Sequence, residues 1–163
     1  MSRETGIGLA AGRVAGKVCV VTGAAQGQGL AEALLLDAEG ALVYACDLMD
    51  EAPSELRQTG RVAYRRLDVT NRDDWATLAG ELSRTHGRVD GLVANAGVTW
   101  RARLADLEPD DLARVGDVNV TGGRQTAELS EEISDFFSCR LGIGSQAIGI
   151  VGGGLPTYRE FDG

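Results

Sequence analysis

Residues 22–29 read TGAAQGQG, with glycines at 23, 27 and 29. The apolar run VCVV (Val18–Val21) precedes them, and LAEALLLDAEG (Leu30–Gly40) follows. VCVV is too short and too uniformly apolar for an amphipathic helix, so it predicts a buried strand. In the following stretch Leu30, Leu34 and Ala38 recur four apart. This predicts a helix over Leu30–Glu39 with those residues on its buried face, stopped by Gly40. Glycines between a strand and a helix permit a tight turn and let backbone approach an anion at the helix N-terminus. TGAAQGQG therefore reads as a phosphate cradle.

The same alternation continues outward. ALVYACD (Ala41–Asp47) predicts a second strand ending in an acid, and Asp50–Thr59 a short polar helix. RVAYRRLDV (Arg61–Val69) predicts a third strand whose charged middle suits a sheet edge. Thr70 and Asn71 are candidate caps of the next helix, and Asp73 and Asp74 complement its dipole. Trp75, Leu78 and Leu82 form its buried stripe and Gly87 ends it. VDGLVANAG (Val89–Gly97) is a fourth strand running into a turn. Pro109 opens a further helix with Leu112, Val115 and Val118 on one side. Alternating strands and helices favour a parallel sheet with right-handed crossovers. Residues 1–12 read as a loose tail and 13–123 as one domain. Residues 124–163 are less regular, compatible with a continued helix over 124–137 and a strand at Ala147–Val151.

Composition narrows the classes. The chain has 163 residues, 44% of them apolar, 5% aromatic, and 23 glycines, which suits one domain with a core of small aliphatic side chains. A net charge of −8 without a basic cluster argues against nucleic acid and anionic membrane as partners. Cys19, Cys46 and Cys139 are widely spaced with no CxxC pair, and His86 is the only histidine. Disulfides and a metal centre are not expected, and a reducing cytoplasm is the natural compartment. The N-terminal stretch holds no apolar segment of signal-peptide or membrane-span length.

Asp47 lies at the end of the second strand, about 20 residues beyond the glycines. A carboxylate there can accept hydrogen bonds from both ribose hydroxyls of an adenosine. It also repels a 2′-phosphate, Asp50 and Glu51 add to that, and no Lys or Arg in residues 22–29 compensates. NAD is expected over NADP.

Four motifs in order, TGAAQGQG, Asp68–Val69, ANAG (Ala94–Gly97) and Asn119 in NVTG, resemble the short-chain dehydrogenase/reductase family. The spacing is similar to that of its NAD-linked hydroxysteroid and sugar-alcohol dehydrogenases. The match runs from about Arg13 to Gly122, roughly two thirds of the chain. The resemblance implies an α/β Rossmann-type doubly wound parallel sheet. It implies Gly23, Gln28 and Gly29 along the pyrophosphate, Asp68 and Val69 at the adenine edge, and Asn95, Ala96 and Gly97 beside the adenosine ribose. Asn119 would be the helix asparagine that bends its helix and holds a water in the proton relay. Gln28, where the family usually has Ile or Leu, and Ala94, in place of the first Asn of NNAG, are departures.

The family's hydride transfer uses a Tyr acid/base with a Lys four residues on, which lowers the phenol's pKa from about 10, and a Ser that polarises the substrate oxygen. Lys17 is the only lysine in the sequence, so no Tyr-x-x-x-Lys occurs in it. Ser145 and Tyr158 stand 13 apart, but Asp162 four residues after Tyr158 would raise a phenol's pKa. Ser145 also precedes the candidate strand, whereas the family's Ser follows it. The expectation is an NAD-dependent oxidoreductase of secondary alcohols and ketones, catalytically incomplete in this chain. The C-terminal part of the family fold has no counterpart, and the uncovered apolar faces favour association, as in a homo-oligomer. A non-catalytic NAD-binding or regulatory module is the alternative.

Overall fold

A computed structural model of the chain describes residues 12–99, 108–125, 128 and 149–152. Its elements are β1 (Val18–Thr22), α1 (Gly27–Ala38), β2 (Leu42–Asp47), α2 (Ser54–Thr59), β3 (Ala63–Arg66), α3 (Arg72–Thr85), β4 (Gly91–Ala94), α4 (Pro109–Gly116), a π-helical turn (Asp117–Gly122) and β5 (Gly149–Gly152). The five strands form one parallel sheet in the order β3-β2-β1-β4-β5.

Side-chain alternation divides the core between the two faces of this sheet. Val18 and Val20 of β1, with Tyr44 and Cys46 of β2, pack against Trp75, Leu78 and Leu82 of α3. Cys19, Val21, Val43 and Ala45 pack on the other face against Ala33 of α1 and Leu56 of α2. Burying both faces explains why β1 and β2 read as near-continuous apolar runs. The sheet is therefore doubly wound, of Rossmann type. Strand order reverses beside β1, so the loops after β1 and β4 diverge and open a crevice at the carboxyl edge.

Most predicted elements occur, with revised limits. α1 begins at Gly27, three residues earlier than predicted, so Gly27 and Gly29 belong to its first turn. Its buried row is Gly29, Ala33 and Asp37, while Ala38 is exposed and Leu30 and Leu34 are half-buried. The cause is Gly29. A Cβ there would overlap the Gly23 carbonyl and Asn95 Nδ2, so the helix is phased to bring this glycine onto the sheet. Asp37, drawn inside by that phase, lies 3.1 Å from Arg61 Nε.

β3 covers only Ala63–Arg66, because the chain leaves the sheet once Leu67 N–H has bonded Asp47 O at 2.8 Å. It is an edge strand, as its charged middle implied. Asn71 alone caps α3, accepting from Asp73 N–H at 2.9 Å. Thr70 instead turns back to Asp68. Leu112 is exposed on α4, whereas Val118 packs against the α3-side core. β5 runs Gly149–Gly152 beside β4, within two residues of the predicted strand. Residues 1–11 of the predicted tail, most of the 124–137 helix, Cys139, Ser145 and Tyr158 lie outside the described residues.

Candidate nucleotide site

The glycine loop is held from below by β1 and β4. Thr22, 1% exposed, ends β1. Its hydroxyl donates to Val93 O at 3.3 Å and accepts from the N–H groups of Asn95 and Ala96, each at 3.1 Å. Asn95 Nδ2 donates to the carbonyls of Thr22 and Gly23, both at 3.1 Å. The loop and the ANAG turn thus form one hydrogen-bonded unit. Gly23 is needed twice over: its φ is +68°, and a Cβ would stand 2.8 Å from Ala96 Cα.

Above this base the N-terminus of α1 is open. Gln26 occupies the capping position in extended conformation without capping through its side chain, and no acid stands in the first turn. Leu30 is the first residue whose N–H the helix takes up, at 3.3 Å from Gln26 O. The N-terminal N–H groups and the positive end of the dipole face outward, and a Cβ at Gly27 would meet nothing within 4 Å. Such an end offers backbone donors and positive potential with no acid in its first turn. Gln28 contributes only backbone to it, because its side chain bonds Glu32 at 2.8 Å on the exposed face.

Asp47 closes the side toward β2. Its Oδ2 accepts from Ala25 N–H at 2.9 Å and its Oδ1 from Leu48 N–H at 2.7 Å. A carboxylate offers about four acceptor sites, so capacity remains for further donors. Tyr64 donates its hydroxyl to Met49 O at 2.9 Å, which fixes the loop behind Asp47. Burial, reinforced by the charge of Asp47, pushes that phenol up to about 12, so it remains a donor.

Asp68 and Val69 lie beyond β3. One oxygen of Asp68 takes both the N–H (2.9 Å) and the hydroxyl (2.7 Å) of Thr70, and its other oxygen has no partner among the described residues. Val69 receives Trp75 Nε1–H on its carbonyl at 3.0 Å. Gly122 of the π turn packs on Val69, where a Cβ would come within 2.7 Å of its Cγ2. The same turn presents Asn119, whose Oδ1 accepts from Val98 N–H at 2.8 Å and whose Nδ2 donates to Val98 O at 2.9 Å. Asn119 thus clamps the chain just beyond Gly97.

All ten expected site residues therefore lie around the carboxyl edge of the sheet. Asn95 braces the loop and Asn119 grips main chain, so both side chains act first on the protein itself. Three contributors went unread in the sequence: Thr22, Tyr64 and Arg66. Each lies in a strand, where a polar side chain carries no local sign of its distant partner. Arg66 is paired with Asp47 in the β2–β3 register, so a cation stands on the strand beside that carboxylate although residues 22–29 contain none.

A family model described as short chain dehydrogenase matches residues 17–134. Cyclopentanol dehydrogenase of Comamonas testosteroni is 38% identical over 114 residues, covering 67% of this chain and 46% of that protein. The 3-oxoacyl-acyl-carrier-protein reductase FabG of Thermotoga maritima is 39% identical over 115 residues, covering 68% and 47%. The crystal structure of a short-chain type dehydrogenase/reductase from Mycobacterium marinum superposes with a TM-score of 0.69 at 28% identity, covering 74% of this chain and 51% of that one. The chain spans about half the length of the curated relatives it matches. Among the described residues no helix is long and apolar enough to cross a membrane, and no cluster of His, Cys, Asp and Glu could hold a metal. With the motifs assembled at one sheet edge and a family match over most of its length, this chain belongs to the short-chain dehydrogenase family.

Proposed function

We propose that this chain is the NAD-binding part of an oxidoreductase acting on a small secondary alcohol or its ketone. The observation that carries the reading is Asp47, braced by Ala25 and Leu48 N–H groups beside an open helix N-terminus. In this reading Gly23, the backbone of Gln28, and Gly29 border the diphosphate, and Asp47 takes the ribose hydroxyls. Asp68 and Val69 receive the adenine edge. Asn95, Ala96 and Gly97 form the wall next to the ribose, and Asn119 positions that wall through Val98. When bound, the nicotinamide would accept or return a hydride at the carbinol carbon.

The proton side of that exchange is not supplied by this sequence, which contains no Tyr-x-x-x-Lys. The 163-residue chain therefore binds NAD without turning over an alcohol. Exposed Leu112 of α4 and Val120 of the π turn support association into a homo-oligomer. The cysteine pattern supports a cytoplasmic setting.

Calorimetric titration with NAD and NADP, followed by an NAD-reduction assay over a panel of secondary alcohols, tests this reading. Binding of NAD in preference to NADP, without NADH formation, is expected. A folded chain that binds neither nucleotide would overturn the site, and sustained turnover would overturn the catalytic incompleteness. Asp47→Ala should narrow the gap between the two nucleotides; an unchanged gap counts against Asp47 as the discriminating group.

A further inference from the structure

β3 ends in two arginines with different partners. Arg65 pairs with Glu81 of α3, its Nε 2.8 Å from the carboxylate, and its guanidinium lies over the Tyr44 ring. Arg66 turns instead to the carboxyl edge. Its Cα is the register partner of Asp47, and its guanidinium stands between Asp50 Oδ1, 3.3 Å from Nε, and Asp74 Oδ2, 3.8 Å from Nη1.

Neither restraint is strong. Asp50 is 88% exposed, so solvent screens that pair. Asp74 Oδ2 already accepts from Asp68 N–H at 2.8 Å. Arg66 is itself half exposed and remains accessible to a ligand at the ribose end.

Resting on the reading that this edge holds an adenine dinucleotide, we propose that Arg66 and Asp50 together set the discrimination between a 2′-hydroxyl and a 2′-phosphate on the adenosine ribose. Asp50 draws the guanidinium away, which leaves Asp47 to face the ribose as a carboxylate. Formal charge over Asp47, Asp50 and Arg66 is then negative, and a phosphate dianion is repelled. Without the Asp50 charge, the three positions balance. Held then only by the longer Asp74 pair, 3.8 Å from Nη1, the guanidinium fork can turn to meet phosphate oxygens in a charge-assisted contact. Asp50 thus acts through Arg66, and its effect exceeds that of one acid among several.

Glu51 supplies the control. It is a neighbouring exposed acid of the same charge, with no ion pair among the described residues. NAD and NADP would be titrated calorimetrically into the wild-type chain, Asp50→Asn, Glu51→Gln, and the double variant Asp50→Asn/Arg66→Ala. Asp50→Asn is expected to gain roughly two- to fivefold in NADP affinity over Glu51→Gln, with NAD affinity nearly unchanged. The double variant should lose that gain. An Asp50→Asn gain no larger than that of Glu51→Gln, or one that persists without Arg66, overturns the proposal while the nucleotide site stands. Failure of the folded wild-type chain to bind NAD overturns the site and this inference with it.

Discussion

The Asn119 side chain bonds both main-chain polar atoms of Val98, accepting from its N–H at 2.8 Å and donating to its carbonyl at 2.9 Å. The π turn allows it: the widened turn Asp117–Gly122 places Asn119 over the ANAG segment while Gly122 seats on Val69. Asn119→Asp should keep the first bond and set an oxygen against the Val98 carbonyl. Asn119→Ala should lose both bonds. Each should cost about 1 kcal/mol and speed amide exchange at Val98 in hydrogen-exchange measurements. Unchanged exchange at Val98 in both variants would contradict the clamp.

Thr22 is the junction between β1, β4 and the glycine loop. Thr22→Val keeps the shape and removes the hydroxyl, so Ala96 N–H loses its acceptor while Asn95 N–H keeps Val93 O at 3.1 Å. Stranding that part-buried donor costs about 1 kcal/mol. Thr22→Ser retains the hydroxyl and should lose less. Urea unfolding measures both, and equal losses would mean that the methyl packing, not the hydroxyl, matters at this position.

Two glycines of one motif should respond differently to alanine. At Gly29 the added methyl overlaps Gly23 O and Asn95 Nδ2, so α1 must shift; overpacking of this kind costs about 1–3 kcal/mol. At Gly27 the space is open and only the φ of +57° resists, worth roughly 1–2 kcal/mol. Gly29→Ala should also expose the Asn95 amide to exchange, and Gly27→Ala should leave it protected.

Alkaline and acid stability have separate sources. Burial pushes the Cys46 thiol from its ordinary 9.0 up to about 12. Its contribution to stability is complete below pH 9. It falls between 9 and 12, where the unfolded chain loses the proton and the folded chain keeps it, at about 1.4 kcal/mol per pH unit. Cys46→Ala should flatten that decline in denaturant titrations across the range. The hydrogen bond from Arg65 holds the Glu81 carboxyl below its ordinary 4.5. Stability from that pair is present above 4.5 and lost on acidification, so Glu81→Gln should flatten the acid limb.

Local pattern made most of the fold legible. VCVV, ALVYACD and the Trp75–Leu78–Leu82 stripe each carry a period that needs no partner to be read. TGAAQGQG and Asp47 were legible as a site because turn chemistry and chain order announce them. The phase of α1 was not, since it depends on Gly29 meeting the Gly23 carbonyl, and leucine spacing pointed to a neighbouring row. Arg66 carries no local sign for a related reason: it reaches Asp47 by strand pairing and lies outside residues 22–29.

Local sequence was enough to set the alternation of strands and helices, the glycine turn, and the acid that ends β2. These follow from backbone conformational limits and hydrophobic period, which act over a few residues. It also determined that no tyrosine stands four residues before a lysine. Tertiary structure alone decided that Thr22 meets Asn95 across 73 positions, that Asn119 clamps Val98, and that Arg66 stands beside Asp47. Those contacts follow from the strand order β3-β2-β1-β4-β5. Which strands become neighbours is settled by burying both faces of the sheet at once, and no single segment carries that information.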